Sequence, residues 1–135
     1  MELYSNQSQF TPDSLFAGNQ IPVLVKGVNL APTSSGLYVR GSVLMASAGG
    51  NAELLDISKL SSTFTVSGTT VTETKGSIIV GILTDDTEVA KEGTETTEAG
   101  VYICGYFHSE ALIFADGTTA QNAELELRKL NIFID

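Results

Sequence analysis

Ser77-Ile78-Ile79-Val80-Gly81-Ile82-Leu83 is a continuous apolar run, and Val101-Tyr102-Ile103-Cys104-Gly105-Tyr106-Phe107 is a second. Runs of this length and β-branched content mark strands covered on both faces. Two such strands in one small domain need cover twice over. One side is the domain's own core. The other is either the short helices of the same chain or a neighbouring subunit, and the second possibility makes an oligomer the expectation. On that reading Tyr102, Cys104 and Tyr106, at alternate positions of the second strand, are candidates for the subunit interface.

Outward from these runs the pattern stays β-rich. Val23, Leu24, Val25, Val28 and Leu30 make an earlier strand, closed by the turn-forming residues 31–36. Leu37 to Met45 reads as one further strand with a bulge at Gly41. Residues 48–51 read as a loop, and Glu53 to Lys59 fits either a short helix or an irregular edge. Thr63-Phe64-Thr65-Val66 and Thr70-Val71-Thr72-Glu73 flank Ser67-Gly68-Thr69 and predict a hairpin with one wet face. Residues 84–98 form an acidic loop. The clearest helix follows Thr118 and Thr119. Thr118 or Thr119 can cap it, Thr118 with Gln121 has capping-box spacing, and Ala120, Ala123, Leu127 and Leu130 form one stripe. Glu124 and Glu126 lie early and Arg128 and Lys129 late, as the helix dipole favours. Asn131 is a stop signal, and Ile132 to Ile134 return to the core or to an interface. The sum is a mixed α+β, β-rich domain with short helices and a C-terminal helix.

Residues 1–20 are polar with scattered apolar side chains and no period. They predict a flexible N-terminal arm ahead of a single domain over 21–135, with one helical turn starting at Thr11-Pro12-Asp13. If the arm orders on a partner, Leu3, Tyr4 and Phe10 are its anchors.

Composition narrows the function. A chain of 135 residues holds its own core. Seven basic against 16 acidic side chains give a net charge of −9, which argues against nucleic acid and against anionic membrane surfaces. No apolar run approaches the ~20 residues of a membrane helix, and MELYSNQSQF has no signal-peptide pattern, so a soluble chain made in a cytoplasm is expected. One cysteine excludes an internal disulfide.

Chemistry is hard to place. Cys104 and His108 are the only cysteine and histidine, and on one extended strand they stand about 13 Å apart, too far for a dyad. Cys104 reads as a buried small hydrophobe, and His108 as a strand-ending residue that meets a backbone carbonyl. Zinc lacks ligands, and the acidic loop lacks calcium-loop spacing. Neither a metal nor a cofactor nor an enzyme activity is expected.

Several stretches taken in order resemble one family. They are Gly41-Ser42-Val43-Leu44, Val80-Gly81-Ile82-Leu83-Thr84-Asp85-Asp86, and Val101 to His108 with Ala111-Leu112. The closing segment Leu125 to Ile134 fits as well. The pattern resembles the bacteriophage head decoration protein D family over roughly residues 21–134, best from about 78. The resemblance implies a small β-clip or barrel-like domain. It implies a homotrimer on three-fold and quasi-three-fold sites of an expanded phage head, partnered by the major capsid protein. It also implies that the arm grips the shell by adding a strand, and that the protein sits on the outer surface of the virion. The alternatives are another virion role (tail tube, head–tail joining, fibre tip) and a small-ligand-binding β-barrel module, which requires a closed apolar cavity.

Overall fold

The structure is a computed structural model that describes residues 15–18, 23–47 and 50–135. The strands are β1 (Leu24–Leu30), β2 (Leu37–Tyr38), β3 (Val43–Ala46), β4 (Glu53–Leu54), β5 (Thr63–Ser67), β6 (Thr70–Thr74), β7 (Ile78–Leu83), β8 (Thr87–Glu88), β9 (Thr97–Phe107) and β10 (Ile132–Ile134). Among the described residues one α-helix, α1 (Ala120–Arg128), precedes β10, and short 3-10 turns cover Ile57–Lys59 and Ser109–Ala111. Strand accounts for 44% and helix for 13%, so the domain is β-rich.

A six-stranded sheet runs β1-β9-β7-β3-β4, with β10 added in parallel to the end of β9. The sheet is open, but its two ends touch at one bridge, Leu30 opposite Ala52. There the Ala31 N–H donates to the Ala52 carbonyl at 2.8 Å, and the Ala52 N–H to the Asn29 carbonyl at 2.8 Å. β2–β8 and β5–β6 are separate two-stranded ribbons.

The two apolar runs are covered on both faces by the chain itself where they cross. Strand alternation sends Val43, Met45 and Ile82 to one core with Phe107, Ala123 and Leu127. It sends Leu44, Leu83 and Val101 to a second core with Leu30, Tyr38 and Ala52. The second core is thus closed by β2 and the curl of the sheet, not by helices. The cover fails at the start of β7, where Ile78 is 65% exposed.

Bulges re-aim both runs. On β7 the register slips so that Leu44 faces Gly81 and Met45 faces Ile79, leaving Val80 as the extra residue. Gly81 has φ +147°, and a Cβ there would lie 2.6 Å from the Tyr102 carbonyl oxygen, so only glycine fits. On β9 the slip falls between Tyr102 and Cys104.

Four expectations need correction. Leu37 to Met45 is not one strand. Gly41, at φ +94°, is a turn between β2 and β3, and a Cβ there would collide with the Ala111 carbonyl oxygen. β9 starts at Thr97, inside the expected acidic loop, because Thr97 to Val101 pair with β1. Residues 84–98 also contain β8. Leu15 and Phe16, read as part of the arm, pack in the first core, with the His108 N–H donating to the Leu15 carbonyl at 2.8 Å. Finally, Thr119, one of the two expected caps, caps α1, and the capping box pairs it with Asn122, one residue beyond the Thr118–Gln121 spacing. The Thr118 hydroxyl is already committed, accepting the Ile57 N–H at 3.0 Å, so the next threonine takes the cap. Asn131, the expected stop, is the one non-glycine residue at positive φ among the described residues (+63°).

Candidate interaction surface

Of the six candidate residues, Leu3, Tyr4 and Phe10 lie outside the described residues, as does the turn at Thr11–Asp13. The three on β9 do not form one surface. Tyr102 turns inward, with its ring 5.1 Å from Phe16 in an edge-on contact and 6.0 Å from Phe107. Tyr102 and Phe107 join the same core although they are five residues apart, which an unbroken strand forbids and the bulge between 102 and 104 permits. Tyr106, the neighbour of Phe107, therefore faces the other way. Cys104 is half-buried, not the buried hydrophobe expected.

His108 does end β9, but its partner is a carboxylate, not a carbonyl. Its Nδ1 lies 2.7 Å from Asp135 Oδ2, and the Ser109 N–H donates to Asp135 Oδ1 at 2.9 Å. These bonds, the backbone one first, hold the Asp135 carboxyl below the ordinary carboxylate range. The pair closes the end of β10 onto the end of β9. It is exposed. The acidic loop is tied at its start to Arg40, whose N–H donates to Asp86 Oδ1 at 2.7 Å and whose Nε donates to the Thr84 carbonyl at 2.9 Å. Among the described residues no three of His, Cys, Asp and Glu are placed to share a metal ion. Burial, with the nearby Glu53 charge, raises the Tyr38 hydroxyl pKa, consistent with a tyrosine serving as core packing.

What the structure assembles instead is uncovered apolar β surface. The β5–β6 hairpin pairs Phe64 with Glu73, Thr65 with Thr72 and Val66 with Val71. Residues directly opposite share a face and alternate along the strand. One face is therefore Phe64, Val66, Val71 and Glu73. The other is wholly hydroxyl: Thr63, Thr65, Ser67, Thr70, Thr72 and Thr74. The alternation and the Gly68 turn were as expected, but both faces are wet, not one. Phe64 is 66% exposed, Val66 69% and Val71 62%. An alternating pattern identifies an apolar face but not what covers it, so the sequence alone assigned that face to the core.

A second apolar feature opens where β7 and β9 diverge. β7 meets β9 only through Ile82 and Leu83, and beyond that the β9 backbone pairs with β10. The gap is a trough of about 280 Å³ lined by Lys26, Val28, Ile78, Val80, Ile103 and Leu130. It continues past Ile78, Ile79 and Leu130 into an adjoining cleft of about 350 Å³ beside α1. Both open to solvent.

Neither a protein-family model nor a curated protein matches this sequence.

Proposed function

We propose that this chain is a self-assembling, non-enzymatic structural protein that decorates the outside of a phage head as a trimer. One observation carries the assembly part: a single copy leaves the Phe64–Val66–Val71 face and the Ile78 edge of its sheet in water. Patches of this kind on an otherwise acidic surface are the usual mark of a protein–protein contact. The capsid part rests on the resemblance of residues 21–134 to head decoration proteins. The β-clip or barrel-like assignment belongs to the same proposal, and the Leu30–Ala52 bridge between the ends of the sheet supports it.

Decoration works by mass action. A ligand that binds only the expanded shell lowers the free energy of that state. One arm of mM affinity contributes only about 4 kcal/mol. Three arms on one trimer act at high effective concentration and bind far more tightly. Strand addition supplies main-chain hydrogen bonds without demanding an exact partner sequence, and Leu3, Tyr4 and Phe10 fill pockets as anchors.

Co-sedimentation with undecorated heads of the encoding phage tests this. The full chain binds expanded heads saturably and ignores unexpanded ones. A variant lacking residues 1–10 keeps its oligomeric state and loses binding. Undiminished binding by that variant contradicts the role of the arm, and failure of the full chain to bind contradicts decoration.

A further inference from the structure

We propose that the apolar face of the β5–β6 hairpin docks into the β7–β9 trough of a second copy of this chain. The inference rests on the self-assembly part of the proposed function and is independent of the capsid.

The two surfaces match in chemistry. The hairpin presents Phe64, Val66 and Val71, and the trough presents Val28, Ile78, Val80, Ile103 and Leu130. At about 280 Å³ the trough has room for an aromatic ring and a branched side chain. The only charged residue of the hairpin, Glu73, lies on its apolar face beside Phe64. Lys26 lines the trough and makes no ion pair among the described residues. Lys129, on the adjoining cleft, is already paired with Glu126 at 3.1 Å. Docking therefore brings Glu73 to an uncommitted cation.

Charge also favours a second copy as the occupant. With a net charge of −9 two copies repel over most of their surface. Residues 63–74 carry a single charge, so repulsion is weakest there. The contact is heterologous, since the hairpin of one copy meets the trough of the next. Such contacts close into rings in which every copy uses both surfaces once. Ring closure gives each copy two such contacts, which holds the ring more tightly than one contact holds a pair.

The test uses the full chain and four variants in sedimentation velocity. Phe64→Ser with Val66→Ser removes the hairpin side, and Ile78→Glu blocks the trough. All three positions are exposed, so the variants keep their fold, which circular dichroism verifies. Each of these two variants sediments as a monomer where the full chain is oligomeric, with association weakened about 30-fold or more. Mixed together they form a one-to-one heterodimer, because each retains the half the other lacks. Glu73→Lys weakens assembly, and adding Lys26→Glu restores it. A monomeric full chain, an Ile78→Glu variant that assembles normally, or a mixture that stays monomeric each overturns the proposal. Loss of head binding with this complementation intact counts against the capsid reading alone.

Discussion

Asp135 illustrates how single groups fasten this fold. Its carboxylate accepts the Ser109 N–H and meets His108, and both bonds favour the charged form. The folded pKa lies below the unfolded one, so the contribution is complete above the ordinary carboxylate range. It disappears as pH falls through the folded value. Asp135→Asn keeps an acceptor for Ser109 but removes the charge. The variant therefore melts slightly below the native protein at pH 7, and the gap closes as the pH drops below about 4. A gap that is independent of pH, measured by thermal unfolding across that range, contradicts the assignment. At this scale the sequence was partly legible. Asn131 announced its turn, and His108 its place at the end of β9. The carboxylate that partners His108 lies 27 positions away, and no local pattern reports such a pairing. The inward turn of Tyr102 was not legible for a related reason: a bulge inverts the facing of a strand without leaving a signal in composition.

Among the elements, α1 shows local chemistry and tertiary demand acting together. Thr119 Oγ1 accepts the Asn122 N–H at 3.3 Å, and Asn122 Oδ1 accepts the Thr119 N–H at 2.8 Å. Thr119→Ala removes one half of this box and costs about 1 kcal/mol of stability in urea unfolding. A cost near zero would show that Thr118 substitutes as the cap. Two threonines in a row left the choice open, and it was decided by the distant Ile57 N–H that occupies the first. The helix stripe was half right. Ala123 and Leu127 are buried, but Leu130 lies beyond the Lys129 C-cap and turns to the trough. Existence and type of most strands were readable because apolar runs and Thr alternation are local signals. Their ends were not. Thr97 and Glu98 became strand through pairing with β1, and Gly41 cut an apparent strand in two through its left-handed turn.

The whole molecule is a β-rich domain with two cores separated by a shared sheet, and with apolar surface to spare. Expecting cover for both faces of β7 and β9 was sound. The chain supplies that cover through its own curl where the two strands pair, which no linear pattern reports. The uncovered remainder, the hairpin face and the Ile78 edge, is where assembly is proposed. The account stands or falls on where the protein sits. Cryo-electron microscopy of intact particles, compared with particles from a deletion of its gene, measures this directly. The account predicts three-lobed protrusions on the outer head surface, at three-fold and quasi-three-fold positions, that vanish in the deletion. Loss of density from the tail, from the head–tail junction or from nowhere on the particle would contradict it.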